Sequence, residues 1–214
     1  MRALLCDLDG TLIDSREDLA SAVHLLFADL GLPRLPLERV VANVGRGARA
    51  LVRRCLEDAG AEIAQDDPRL AGFLPHYESV LLKSTLPFPG VLDGLAELRR
   101  RGVALAVITN KPLDPALRIL RGLGMEGCFG AILGGDSLAT RKPDPGMLLE
   151  AAARLGVQWS ACQVLGDSDV DMDAANAAGM PGIWCSWGGF HPDRPAQADH
   201  VVHRFDEVVA RFSP

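Results

Sequence analysis

Apolar and polar positions are patterned along this chain in two different ways. Residues 3–6 form an unbroken apolar run, too short for a helix, which predicts a buried strand. From Ser15 to about Leu86 the spacing turns helical. Leu19, Val23, Leu26, Phe27 and Leu30 recur every three or four positions until Gly31 ends the helix. Ser15 stands as N-cap with Asp18 three residues on, in the manner of a capping box. Pro33 and Pro36 mark a loop, Gly45-Arg46-Gly47 a break and Gly60 a stop, between further helices over 37–43, 48–59 and 68–84. The block contains no convincing strand and has about the size of a small helical bundle.

Pro87-Phe88-Pro89-Gly90 closes that block as a hinge or return linker, and from Val91 the rhythm alternates. Strands are predicted over 103–108, 131–133, 163–165, 182–185 and 200–202, with helices over 91–101, 112–123, 145–155, 170–178 and 205–212. Such alternation predicts an α/β fold with a parallel, doubly wound sheet. The helical block is then an insertion after the first strand.

Composition changes this picture little. At 214 residues and 48% hydrophobic content the chain can bury a full core. A formal net charge of −6 argues against binding nucleic acid by phosphate neutralisation, while leaving a small phosphorylated ligand open. Cys6, Cys55, Cys128, Cys162 and Cys185 are scattered, odd in number and form no C-x-x-C pair, as expected of buried thiols in a reducing cytoplasm. We expect no signal peptide ahead of the first strand and no membrane span. His24, His76 and His191 lie in no motif and read as structural or surface residues.

Candidate chemistry sits at the strand ends, where open α/β sheets carry their sites. Asp7 and Asp9 follow the first strand, separated by one residue, so both side chains leave on one side. Two acids held close need a cation, a shared proton or a split in pKa. A bound Mg²⁺ would keep Asp7 ionised and able to act as a nucleophile forming an acyl-phosphate. Asp9 would protonate the leaving oxygen and later take a proton from water. Gly10 permits a tight turn and Thr11 adds a hydroxyl. Thr109-Asn110 after the second core strand suits a phosphate, although either residue can equally be an N-cap of the next helix. Lys142, on a stiff loop, can neutralise a phosphoryl group and Asp7. Asp167 follows Gly166 in the position of a metal ligand. Asp7, the Asp9 carbonyl and Asp167 suffice for Mg²⁺, which prefers few carboxylates. Asp171 either holds a metal-bound water or orients Lys142, and Ser168 lies beside it; helix capping is the alternative for Asp167 and Ser168.

Together, Asp7-Leu8-Asp9-Gly10-Thr11, Thr109-Asn110, Lys142-Pro143-Asp144-Pro145 and Gly166-Asp167-Ser168 with Asp171 resemble the four motifs of the haloacid dehalogenase-like hydrolase superfamily, across essentially the whole chain. The resemblance implies a Rossmann-like core of residues 1–14 and 86–214, a small helical cap of residues 15–85, Mg²⁺ and an aspartyl-phosphate intermediate. It makes Asp7 the nucleophile and Asp9 the acid/base. Lys142 stabilises charge, Asp167 joins Asp7 and Asp9 at the metal, and Thr109, Asn110, Gly10 and Thr11 surround the phosphate.

Within the superfamily the chain looks most like the phosphoglycolate phosphatases, through Val44-Gly45-Arg46-Gly47 followed by a basic helix, Thr109-Asn110-Lys111-Pro112, Gly134-Gly135-Asp136 and Lys142-Pro143-Asp144-Pro145. The expected substrate is a small phosphorylated metabolite, 2-phosphoglycolate first, with sugar phosphates, nucleotides or a phosphomutase reaction as alternatives. Arg46 is the cap residue expected to pair with a substrate carboxylate. Cys6 in place of the usual phenylalanine, and Asp169-Val170 in place of a basic-plus-Asn pair, depart from the family pattern. Asp9 argues against dehalogenation, which needs no acid at this position. Retention of both Asp7 and Asp9 argues against a non-catalytic sensor. The protein is expected in the cytoplasm as a monomer or homodimer.

Overall fold

The computed structural model describes residues 2–190 and 197–213, and His191 lies outside them. Strand β1 (Ala3–Cys6) is followed by the two-residue strand β2 (Ile13–Asp14). Then come helices α1 (Arg16–Asp29), α2 (Leu37–Val41), α3 (Ala48–Asp58) and α4 (Phe73–Val80), and the short strand β3 (Leu86–Pro87). The remainder alternates: α5 (Val91–Arg100), β4 (Ala104–Ile108), α6 (Leu113–Gly122), β5 (Ala131–Leu133), α7 (Gly146–Arg154), β6 (Cys162–Gly166), α8 (Asp169–Ala177), β7 (Gly182–Cys185), β8 (His200–Val202) and α9 (Phe205–Arg211).

Six of these strands form one parallel sheet in the order β5-β4-β1-β6-β7-β8. The chain leaves β1 for β4 and β5 on one side and then returns to β6 on the other. The topological switch therefore falls beside β1, where α/β folds bind ligands. The strands read as continuous apolar runs because both faces are covered. Leu4, Cys6, Leu105 and Val107 pack under α5, α6 and α9, whereas Ala3, Leu5, Ala106 and Ile108 pack under α7 and α8.

The inserted helices bury a hydrophobic cluster of their own, built from α1 to α4 around Val23, Phe27, Val52, Leu56, Phe73 and Tyr77. Three local expectations fail there. First, the segments entering and leaving the insertion pair as strands: Ile13 pairs with Pro87 and Asp14 with Leu86, antiparallel, so a short ribbon reaches into the first residue of the expected 87–90 linker. Second, 68–84 is not one helix but a 3₁₀ turn at Pro68–Ala71 followed by α4. Pro75 explains the break, since a proline is tolerated only in the first turn of a helix, where its missing N–H costs nothing. Third, Ser15 and Asp18 form no capping box. The Ser15 hydroxyl donates to Asp9, and the Asp18 carboxylate accepts from the Ser84 and Thr85 N–H groups and the Thr85 hydroxyl. Both polar groups serve tertiary contacts that local spacing cannot reveal. His24 bonds the Leu35 carbonyl and His76 pairs with Asp29, both structural roles.

Candidate active site

Asp7, Thr109 and Asp167 are each the first residue after a strand, namely β1, β4 and β6. Three adjacent strands therefore deliver them to one edge of the sheet. Lys142 reaches the same edge from the loop between β5 and α7. Its Nζ lies 2.7 Å from Asp7 Oδ1, 2.6 Å from Asp171 Oδ1 and 2.7 Å from the Ile108 carbonyl, so all three ammonium protons are donated. Burial works against this charge, but Asp171 and Asp7 outweigh it and hold the Lys142 pKa above the ordinary lysine value. The other Asp171 oxygen accepts from the Ser168 N–H at 3.1 Å and the Ser168 hydroxyl at 2.6 Å. Of the two roles open to Asp171, the geometry fits the orientation of Lys142.

Burial pushes the Asp7 carboxyl up to about 7; Lys142 opposes the rise, and the charges of Asp171 and Asp9 add to it. Asp167 is likewise raised well above the carboxylate range by burial, with Asp171 and Asp7 adding. Its Oδ1 accepts a bond of 3.3 Å from the Thr11 hydroxyl, while its Oδ2 is buried without a partner. Gly10 permits this packing: its φ is +86°, and a Cβ there would come within 2.3 Å of Asp167 Oδ2.

Asp9 faces a different cation. Lys111 Nζ lies 2.7 and 2.6 Å from its two carboxylate oxygens, and the same ammonium stands 5.0 Å from the centroid of the Tyr77 ring on α4. Lys111 is 7% exposed. Burial works against its charge too, and Asp9 overrides this and holds the pKa high. Burial also pushes the Tyr77 phenol up to about 12, against the opposing pull of the Lys111 charge. Sequence reasoning assigns neither Lys111 nor Tyr77 a role. Lys111 does stand directly after Thr109-Asn110, but its partner is 102 positions away.

The other expected residues divide. Thr109 Oγ1 accepts from the Lys111 N–H, which leaves its own proton to donate. Asn110 spends both amide protons on the Gly45 and Lys142 carbonyls, tying the insertion to the lysine loop, and its Oδ1 is buried without a partner. In this arrangement both side-chain N–H groups are taken by protein carbonyls, and the amide acts as a strut. Neither Thr109 nor Asn110 caps α6: the Asp136 carboxylate accepts from the Leu113 N–H instead. Arg46 does not meet a substrate-facing position in this arrangement. Its guanidinium pairs with Asp169 at 2.9 Å, both side chains exposed, and latches the insertion to α8. Two indoles brace the rim from behind. Trp184 Nε1 donates to the Asp167 carbonyl at 2.9 Å and Trp187 Nε1 to the Thr11 carbonyl at 3.0 Å.

Between rim and insertion lies a small cleft, with Asp7, Asp9 and Lys111 on its floor and Leu51, Phe73 and Tyr77 on its roof. Asp7, Asp167 and Asp171 each offer a carboxylate oxygen within 4.8 Å of the others. All-oxygen donors suit a hard divalent cation such as Mg²⁺. Asp171 is fully engaged by Lys142 and Ser168, so the unpartnered Asp167 oxygen and Asp7 fit the ion best. The Asp9 side chain belongs to Lys111 and Ser15, which leaves only its carbonyl for a metal.

Known proteins resemble this chain in sequence and fold. A family model described as haloacid dehalogenase-like hydrolase matches residues 1–179. A plasmid-borne phosphoglycolate phosphatase of Cupriavidus necator is 40% identical over 99% of this chain and 93% of its own. The phosphoglycolate phosphatase of Pseudomonas putida is 41% identical over 98% of this chain and 78% of its own. The crystal structure of a predicted phosphoglycolate phosphatase from Haemophilus somnus superposes with a TM-score of 0.91 at 29% identity, covering 100% of this chain and 98% of that one. On sequence, fold and the convergence of its four motifs alike, the chain belongs to the haloacid dehalogenase-like hydrolases.

Proposed function

We propose that this hydrolase is a Mg²⁺-dependent 2-phosphoglycolate phosphatase. The observation that carries the reading is the buried Asp7–Lys142–Asp171 cluster, with the unpartnered Asp167 oxygen beside it, at the mouth of a small apolar-roofed cleft. The names of the similar phosphatases support the substrate.

Asp7 attacks the phosphorus of the monoester and displaces the alkoxide, which Asp9 protonates. Lys142 neutralises Asp7 and stands beside the incoming phosphoryl group, and Thr109 donates its free hydroxyl proton to a phosphoryl oxygen. Water then hydrolyses the aspartyl-phosphate with Asp9 as base. Asp7, the Asp9 carbonyl and Asp167 would hold Mg²⁺, which when bound supplies positive charge to the phosphoryl oxygens. Gly10 and Thr11 shape the phosphate turn, and Asp171 with Ser168 fixes Lys142. Residues 15–85 act as a cap on a core of residues 1–14 and 86–214, and exclude bulk water over the site.

We place the protein in the cytoplasm as a monomer or homodimer, with no nucleic acid or membrane as partner. All five cysteines are free, and among the described residues no helix is long and apolar enough to cross a membrane. Phosphate release from 2-phosphoglycolate, sugar phosphates, nucleotides and pyrophosphate, with and without Mg²⁺, tests the proposal. We expect the highest kcat/KM on 2-phosphoglycolate and little turnover without the ion. Equal rates across the panel would remove the substrate assignment, and transfer to a second sugar in place of phosphate release would make the enzyme a mutase.

A further inference from the structure

Arg46 is held by Asp169 and does not line the cleft, so the site lacks the cation the sequence assigned to a substrate carboxylate. Lys111 does line it. Its ammonium rests on the acid that serves the leaving oxygen, under the roof of the insertion. Beside it, the hydroxyl of Tyr77 is buried next to the Lys111 charge; among the described residues no group meets it in hydrogen-bond geometry, and Tyr77, only 2% exposed, lines the same cleft. A buried hydroxyl is normally paired, so an orphaned one in a cleft points to a ligand oxygen.

We propose that Lys111 and Tyr77 form the subsite that recognises the substrate carboxylate, and thereby set the preference for short carboxylated phosphate esters. The inference rests on the phosphatase reading given above and deepens it.

The chemistry of the substrate supplies the geometric reason. In 2-phosphoglycolate a single methylene separates the ester oxygen from the carboxylate. Whatever protonates the ester oxygen must therefore stand next to whatever binds the carboxylate. Asp9 and Lys111 are in direct contact. The Lys111 ammonium has three protons to share between Asp9 and a second anion, and Tyr77 adds a neutral donor. The walls around the pair are largely apolar, formed by Leu19, Val44, Leu51 and Phe73, with Thr109 and Asn110 as the polar residues farther along the cleft. Lys111 is attached to the core and Tyr77 to the insertion, so the subsite is complete only when the two parts are together.

The test compares 2-phosphoglycolate with ethyl phosphate, which has the same two-carbon chain without the carboxylate. It uses the wild-type enzyme, K111M, K111R and Y77F, with thermal melts to confirm folding. Removing the ammonium also disturbs Asp9, so kcat falls for both esters; the informative quantity is the ratio of their kcat/KM values. We expect K111M to lower that ratio about 10- to 100-fold, as for a lost charge-assisted hydrogen bond, mostly by weakening the binding that 2-phosphoglycolate alone enjoys and so raising its KM. K111R should retain most of the ratio. Y77F should lower it about threefold to tenfold. An unchanged ratio in folded K111M and Y77F would overturn the subsite and leave Lys111 as a positioning residue for Asp9. Wild-type enzyme that fails to prefer 2-phosphoglycolate over ethyl phosphate would instead overturn the substrate reading itself, which separates the two failures. Should K111M not fold, Y77F alone decides, because it removes a single unpartnered oxygen.

Discussion

Two lysines are buried at the same rim, and they are held by different parts of the molecule. Lys142 is surrounded by core residues alone: Asp7, Asp171 and the Ile108 carbonyl absorb its three protons. Lys111 touches Asp9 from the core and the Tyr77 ring from the insertion, beside an unpartnered hydroxyl. The first arrangement is closed and fully paired, as suits a group that must hold charge in a fixed place through every turnover. The second is open on one side, as suits a group that must accept a variable ligand. On the subsite proposed above, the sheet fixes the chemistry and the insertion adds the selectivity.

Substitutions can break or sharpen that division. Asp7→Asn should abolish phosphate release, by at least about 10⁴-fold in kcat, because the nucleophile itself is lost. Residual turnover near the wild-type rate would dismiss the covalent route. Lys142→Met should follow, lowering kcat by about 10²–10³-fold on 2-phosphoglycolate and ethyl phosphate alike. It should also cost about 3–5 kcal/mol of stability, because Asp171 and Asp7 are left buried without their cation, and a thermal melt reads that loss. A change in the ratio between the two esters as large as that expected for Lys111→Met would erase the distinction between the lysines.

Asp167→Asn should weaken Mg²⁺ binding by about 10- to 100-fold, read by calorimetric titration as well as by the Mg²⁺ dependence of the rate. Unaltered affinity would move the ion away from the unpartnered Asp167 oxygen. The smallest effect belongs to Arg46→Ala. Its exposed pair with Asp169 is worth roughly 0.2–1 kcal/mol, so kcat/KM should change by only a few-fold, equally for both esters. A selective loss on 2-phosphoglycolate would return Arg46 to the role the sequence suggested for it.

Much of this was legible in the chain, for definite physical reasons. The parallel sheet could be read because strands buried on both faces must be apolar throughout, and β5, β7 and β8 fall where the runs placed them. Asp7, Lys142 and Asp167 could be read because each stands next to a strand end or on a stiff loop, and such positions converge wherever the sheet is parallel. The reading failed where a polar side chain works at a distance. Ser15 and Asp18 look like a capping box and serve Asp9 and the Ser84–Thr85 turn; Asn110 looks like a phosphate donor and ties two loops; Arg46 looks like a ligand for substrate and latches two helical parts.

By itself, the order of residues determined which chemistry is present: a strand alternation that repeats locally, and acids, a hydroxyl and a lysine at its ends. Only the tertiary structure decided which cation serves which acid. Periodicity and turn chemistry act over a few residues, whereas a buried charge finds its partner through the path of the whole backbone. Lys111 meets Asp9 and Tyr77 because the insertion folds back over the sheet, and no local spacing encodes that return.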